Sequence, residues 1–149
     1  MKKEEKNKIN KDVLDELNKG CAMGMDAIRD ILEKVEDEKF KDVLENEFDK
    51  YKEIHHRIET KYEEYSKEEP TETNIMNKIM TSMMTEMKLM SDNSDSKIAE
   101  LLMQGTNMGI IEGKKILNNK KPLDKEVESI LKDFIAMQET SVETYKKFL

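Results

Sequence analysis

Apolar residues recur at steps of three and four along most of the chain, with Asp, Glu, Lys and Arg between them. One turn of an α-helix takes 3.6 residues, so this spacing predicts amphipathic helices. It indicates a first helix of about 25 residues from Lys11 to Val35 and a second from about Glu38 to Tyr65. Asp37 is a suitable N-cap for the second helix. Because only two residues separate these helices, we expect an antiparallel hairpin over 11–65.

The middle of the chain predicts a crossover over 66–94. Its first residues, SKEEPTET (66–73), are polar and include a proline, which is typical of a linker. Six methionines then recur at helical spacing between Met76 and Met90 and predict a Met-rich helix. The polar run SDNSDS (91–96) favours a turn and ends that helix.

The last third of the chain predicts a second hairpin over 95–149. One helix is expected from about Asp95 to Leu117, and Asp124 is expected to cap another that continues to the end of the sequence. Residues 1–10 carry almost no apolar pattern, so we expect a flexible N-terminal tail there. A single helical-bundle domain then occupies 11–149.

The two hairpins resemble each other in sequence. With an offset of 85 residues, LNKGCAMGMDAIRDIL (17–32) aligns with LMQGTNMGIIEGKKIL (102–117), and both contain Gly-x-x-Met-Gly. With an offset of 87, the two capping aspartates align. A glycine inside a helix costs about 1 kcal/mol relative to alanine, so glycines at matching positions indicate a structural requirement. We expect the glycine faces of the first and fourth predicted helices to touch around Gly24 and Gly109.

Composition narrows the class of protein further. The 149 residues are 40% charged and contain no Trp, which fits one helical domain better than a β-sandwich or barrel. The net charge of −7 argues against nucleic acid and anionic membranes as partners, and no apolar run is long enough to span a membrane. The single cysteine, Cys21, fits a reducing cytoplasm, and its mid-helix position favours a buried thiol.

Two helical hairpins joined by a long crossover are the plan of the ferritin-like four-helix bundle. The chain resembles uncharacterised bacterial bundle proteins of this superfamily from about Asp12 to Leu149. The resemblance rests on the turn VEDEKF (35–40), the region around His55 and His56, the crossover helix and the Gly-x-x-Met-Gly segments. It implies an all-α, ferritin-like up-down four-helix bundle of two hairpins, with an extra Met-rich helix in the crossover.

The resemblance also implies a test for metal binding. Di-iron members of the superfamily carry one Glu on each of two helices and Glu-x-x-His on each of the other two, donors that suit iron or manganese. This sequence offers one such match, Glu53 with His56, and the corresponding stretch MQETSVET (137–144) has no histidine. The apolar period of the second helix turns His55 rather than His56 inward. Glu53, His55, His56 and Glu59 are therefore candidates for an atypical metal site, without an assigned metal, cofactor or catalytic residue. The alternative is that His55 packs near the core and His56 is solvated.

The methionines allow three interpretations. Thioethers pack adaptably in place of leucine, line grooves that bind partner helices, or bind Cu(I). Packing is the favoured interpretation. The face of Met76, Met80, Met83 and Met87 is the candidate surface for a second copy or a protein partner.

The sequence contains no Ser-His-Asp order, phosphate-binding loop or dinucleotide motif. We therefore expect a non-enzymatic, cytoplasmic helical bundle without nucleic-acid or membrane partners, which acts by self-association or by binding a protein partner. The alternative is a ferritin-like metal-binding or oxidative-stress protein with a reduced or atypical site for iron or manganese. A structural component of a multimeric coat or cage is a third interpretation.

Overall fold

A computed structural model describes residues 1–70, 94–119 and 121–149. Over these residues the chain is helical and contains no strand, which confirms the predicted all-α class for this part of the sequence. Short 3₁₀ turns at Leu32–Lys34 and Lys146–Phe148 follow the first and last helices. The Met-rich segment and the helix predicted for it lie outside the described residues. The four helices are α1 (Lys3–Ile31), α2 (Glu38–Tyr62), α3 (Asp95–Asn118) and α4 (Lys125–Tyr145).

The helices pack as two hairpins that share one core. Helix α1 lies along α2 and α3 lies along α4, while α2 contacts α4 and α1 contacts α3. Each helix turns an apolar stripe into this core, and Leu14, Leu44, Ile98 and Leu131 are fully buried examples, one from each helix. Burying such a side chain contributes roughly 1.5–3 kcal/mol, so the shared core is what joins the hairpins.

The N-terminal segment is helical from Lys3 onward, where we expected a flexible tail over 1–10. Asn10 shows why a segment with almost no apolar pattern is held in place. Its side chain is 1% exposed, its Nδ2 donates to the Lys6 carbonyl oxygen at 2.8 Å, and its Oδ1 accepts the backbone N–H of Asp124 at 2.8 Å. A polar contact with the start of α4 therefore extends α1 beyond the apolar pattern that predicted a start at Lys11.

Each hairpin caps the second helix of the other hairpin. Asn10, in the first hairpin, binds the N–H of Asp124, the residue before α4. In the second hairpin, the Asp95 carboxylate accepts the N–H groups of Glu36 at 3.1 Å and Asp37 at 2.9 Å, just before α2. Asn10 and Asp95 correspond under the offset of 85 residues, and Asp37 and Asp124 under the offset of 87. Since N–H groups at a helix start lack partners within the helix, these contacts stabilise both ends of the bundle.

The two capping aspartates differ in what their side chains do. Asp37 caps α2 as predicted, because its carboxylate accepts the Phe40 N–H at 3.0 Å. Asp124 precedes α4, but its carboxylate makes no cap to α4 and instead accepts the hydroxyl of Tyr65, which follows α2. The predicted side-chain cap at Asp124 is therefore wrong. Burial, together with this hydrogen bond, raises the pKa of Tyr65.

The helical glycines make room for side chains of other helices. A Cβ atom at Gly24 would lie 2.5 Å from the ring of Tyr51, and one at Gly109 would lie 2.4 Å from the amide of Gln138. The space beside these glycines is thus filled from α2 and α4. The expectation that the glycine faces of α1 and α3 touch there is wrong, because a side chain occupies each position.

Gly24→Leu should lower the free energy of unfolding by about 1–3 kcal/mol, because the added side chain meets the enclosed ring of Tyr51. Urea unfolding followed by circular dichroism measures the change. Asn46→Leu, at an exposed position of α2, is the matched control and should stay within about 0.5 kcal/mol of the parent. A Gly24→Leu variant with the parent's unfolding midpoint would show that Tyr51 does not constrain this position.

Asn10→Ala should lower the free energy of unfolding by about 1–2 kcal/mol, because it removes the contact that caps α4. Lys8→Ala is the control, since Lys8 is exposed and pairs only with exposed Asp12 in the same helix. The same urea titration compares the two variants. If both variants unfolded at the same urea concentration as the parent, residues 1–10 would not stabilise the fold. That is the behaviour of a flexible tail.

Candidate functional site

The predicted metal ligands lie on the outer side of α2. Glu53 and His56 are exposed, whereas His55 is half-buried, with its Nε2 3.0 Å from Oε1 of Glu59 on the next turn. Across the residues that the structure describes, no group of three or more His, Cys, Asp or Glu is placed to hold a metal ion. The fold thus brings His55 and Glu59 together without adding a third ligand of these types from another described element.

A cluster of polar side chains is buried at the centre of the bundle. Tyr51 on α2 and Gln138 on α4 are both buried, and Nε2 of Gln138 donates a long hydrogen bond of 3.5 Å to Oη of Tyr51. The missing Cβ atoms of Gly24 and Gly109 leave the space that these two side chains occupy. Tyr51 and Gln138 also correspond under the offset of 87 residues. The centre of the fold is therefore built from matching positions of the two hairpins.

One carboxylate belongs to this polar cluster. Glu47, one turn before Tyr51, is only 3% exposed and accepts a hydrogen bond from the hydroxyl of fully buried Ser141 on α4. Lys50, which is exposed, places its Nζ 3.5 Å from Oε1 of Glu47. A buried carboxylate without partners costs several kcal/mol, so the hydroxyl and the ammonium are what allow Glu47 to lie there.

The buried phenols of Tyr51 and Tyr145 and the buried thiol of Cys21 keep their protons. Burial raises the pKa of Tyr51, and it also raises the pKa of Tyr145, to which the charge of Glu47 contributes. Burial raises the pKa of the Cys21 thiol as well. A protonated, enclosed thiol is a poor nucleophile. These three side chains therefore stay neutral at physiological pH.

The polar cluster does not fit the two-metal site that the ferritin-like resemblance implies. That site takes several carboxylates and two imidazoles, whereas the cluster combines the Glu47 carboxylate with an amide and hydroxyl groups. The amide oxygen of Gln138 has no hydrogen-bond partner among the described residues, but one neutral oxygen does not complete a ligand set. The cluster is better explained as a structural centre that orients the hairpins.

Helix α3 exposes two large apolar side chains. The large apolar residues exposed in the described part of the chain are Met1 and Leu149, at its ends, and Met108 and Ile111. Met108 is 40% exposed and Ile111 is 52% exposed. Met108 belongs to the apolar period that predicts this helix, and yet its side chain is exposed. The two residues are three positions apart, so they lie on one face of α3.

The stretch of α3 that carries these two residues lacks charge. Gln104 and Asn107 are exposed on the same side, and no charged residue occurs over 101–111, although 40% of the chain is charged. Gln104, Asn107, Met108 and Ile111 are called the α3 stripe from here on. Apolar surface bordered by uncharged polar groups is typical of protein contact surfaces, from whose centres charged residues are depleted.

A shallow groove of about 340 Å³ runs between α2 and α4. Glu53 and Arg57 line one side of it, and Asp133 and Met137 line the other. Arg57 lies 2.8 Å from the carboxylate of Asp133 and 3.4 Å from that of Glu126. The hydrogen bond to Asp133, supported by Glu126, raises the pKa of Arg57. The guanidinium is thus occupied by carboxylates of the protein itself and is not aimed at a ligand.

No known protein family, no curated protein and no solved structure matches this chain. None of the described helices is long and apolar enough to cross a membrane. Function must therefore be inferred from the residues of this chain and their geometry.

Neither the polar cluster nor the α3 stripe was predicted as a site from the sequence. The available signal for the cluster was that Glu47, Gln138 and Ser141 fall on the inward period of their helices. A polar residue at such a position indicates a buried partner. The signal for the stripe was the uncharged run over 101–111, in which Ile111 falls outside the inward set.

Ser141→Ala should lower the free energy of unfolding by about 1–3 kcal/mol, because it removes a donor from the buried carboxylate of Glu47. Thr140→Ala is a closely matched control. The hydroxyls of Ser141 and Thr140 both lie 3.0 Å from the carbonyl oxygen four residues earlier, but Thr140 is exposed and meets no carboxylate. Thermal unfolding should show a larger loss of unfolding free energy for Ser141→Ala than for Thr140→Ala. Equal losses would mean that the contact between Ser141 and Glu47 contributes nothing to stability.

Proposed function

We propose that this protein is a non-enzymatic helical bundle that acts by binding protein, and that the α3 stripe is its contact surface. The observation that carries the proposal is the pair Met108 and Ile111, exposed together within an uncharged stretch of a highly charged chain. Removing apolar surface from water yields about 25 cal/mol per Å², so covering this stripe favours association. Polar Gln104 and Asn107 beside the pair can hydrogen-bond across a contact.

The interior of the bundle supports the same proposal. Gln138 donates to the enclosed Tyr51, and the enclosed Glu47 accepts from Ser141, so these contacts stabilise the fold. Cys21 is a buried free thiol whose pKa is raised. The polar groups at the centre therefore have a structural explanation that requires no substrate.

A second contact surface is proposed at Met76, Met80, Met83 and Met87, for a further copy of the chain or a protein partner. This part of the proposal rests on the helical spacing and the softness of the thioethers alone, because the four residues lie outside the described ones. Metal binding by Glu53, His55, His56 and Glu59 is the alternative function. Its support in the described geometry is the single contact between His55 and Glu59.

The ferritin-like plan is proposed as the origin of the architecture, with the two hairpins as related copies. The reciprocal caps made by Asn10 and Asp95 support this relation, and so does the central pairing of Tyr51 with Gln138. Both sets of contacts follow the offsets of 85 and 87 residues that align the two sequences. A cytoplasmic location is proposed as well, because an unpaired, buried Cys21 suits a reducing compartment.

Photo-crosslinking tests whether the α3 stripe binds protein. A benzophenone side chain in place of Gln104 should form protein adducts, either in the purified chain or in an extract of the cells that naturally make it. The same side chain in place of Lys132, an exposed residue of α4, is the matched control and should give few adducts. Adding Met108→Glu and Ile111→Glu should remove the adducts formed at Gln104, with a change in unfolding free energy of about 0.5 kcal/mol or less.

Two results would contradict this proposal. Equally low yields at positions 104 and 132 would mean that α3 offers no protein contact. Adducts that persist after both glutamate substitutions would mean that the apolar pair does not drive the contact.

A further inference from the structure

Charged residues continue the α3 stripe at both of its ends. Glu100 lies one turn before Gln104, and Lys115 lies one turn after Ile111; both are exposed. Glu100, Gln104, Asn107, Ile111 and Lys115 follow one another at steps of three and four, and Met108 lies beside Asn107, so all of them share one face of the helix. At 1.5 Å per residue, this face is about 22 Å long.

The extended face is symmetric in position and opposite in charge about its centre. Glu100 and Lys115 are equally far from the point midway between Asn107 and Met108. Gln104 and Ile111 are also equally far from that point. A twofold axis at this midpoint would place each position of α3 opposite its counterpart in a second, antiparallel copy of the helix.

We propose that α3 packs antiparallel against α3 of a second copy of this chain, to form an isologous dimer. The inference rests on the proposed function and names the partner that the α3 stripe binds. Glu100 of each copy faces Lys115 of the other copy at the two ends of the contact. In the middle, Asn107 and Met108 of both copies surround the twofold axis, where the amides can hydrogen-bond across the contact and the apolar side chains are covered. Ile111 of each copy packs against the methylene groups of Gln104 of the other. In an isologous contact the same surface serves both copies, as this arrangement requires.

The charges select both the partner and its orientation. In a parallel pair, Glu100 would face Glu100 and Lys115 would face Lys115, and such like-charge contacts are strongly disfavoured. Within the single chain, Glu100 pairs with Lys97 at 3.1 Å and Lys115 with Glu112 at 3.5 Å, each on its own helix. Exposed pairs of this kind contribute little to stability, so their ends are free to turn toward a second copy.

The size of the contact sets its strength. A single pair of helices about 22 Å long falls in the class of small interfaces, which bury less than about 1,200 Å². The net charge of −7 on each copy also opposes association. We therefore expect a weak dimer, with a dissociation constant on the order of 10–100 μM.

Charge reversal of the full-length chain tests the inference by sedimentation equilibrium, from about 10 μM to 1 mM. Glu100→Lys and Lys115→Glu should each weaken self-association at least about tenfold, because each places like charges at both ends of the contact. The double variant carrying both substitutions should dimerise like the parent. An equimolar mixture of the two single variants should form a heterodimer of parental strength, because every contact then pairs opposite charges.

Controls separate the contact from general effects of charge and from folding. Lys132→Glu changes the net charge as Lys115→Glu does, but it lies on α4 and should leave the dissociation constant within about twofold of the parent. Circular dichroism should show helical content and unfolding midpoints near those of the parent for all variants, because the altered residues are exposed.

A parent chain that stays monomeric at 1 mM would overturn the inference. A double variant that fails to dimerise, or single variants that dimerise like the parent, would overturn it too. The proposed function fails separately. If the chain is monomeric and residue 104 crosslinks to a different protein, the α3 stripe remains a contact surface, but its partner is not a second copy. If residue 104 forms no adduct, both proposals are wrong.

Discussion

The missing Cβ atoms of Gly24 and Gly109 determine what the centre of this bundle can hold. A methyl group at either position would lie within 2.5 Å of Tyr51 or Gln138, so these side chains reach the middle only opposite glycine. Once they are there, their polar atoms lie away from water and need partners, and they bind each other. The glycines therefore lead to a polar contact between the two hairpins at the centre of the fold.

At both ends of the bundle, polar contacts also join the two hairpins, and there they involve backbone N–H groups. Asn10 and Asp95 each reach from one hairpin to the exposed N–H groups that precede a helix of the other. Apolar burial supplies most of the stabilisation but is not directional, whereas these contacts have a defined geometry. Polar contacts at the centre and at both ends thus select one arrangement of two hairpins whose apolar stripes could pack in several ways.

The sequence predicts those features of the structure whose interacting residues lie close together along the chain. The four helices and the cap at Asp37 follow from residues within a turn or two of one another, and they were predicted. The hydrogen bond between Asn10 and Asp124 spans 114 residues, so no local pattern indicates it, and the pattern of residues 1–10 alone predicts a tail where the structure has a helix. The glycine pattern predicts contact between α1 and α3 at Gly24, whereas the packed structure places the ring of Tyr51 from α2 there.

The two hairpins also differ where they face outward, and this difference bears on function. Met23 corresponds to Met108 under the offset of 85, yet Met23 is half-buried and Met108 is exposed. Asp26, which pairs with Arg29 on α1, corresponds to exposed Ile111 on α3. At the centre, both hairpins must fit a large side chain against a helix backbone. Gly24 leaves this space for Tyr51, and Gly109 leaves it for Gln138. Packing does not require an apolar side chain at an exposed position, so the exchange of a charged residue for Ile111 points to a contact outside the fold.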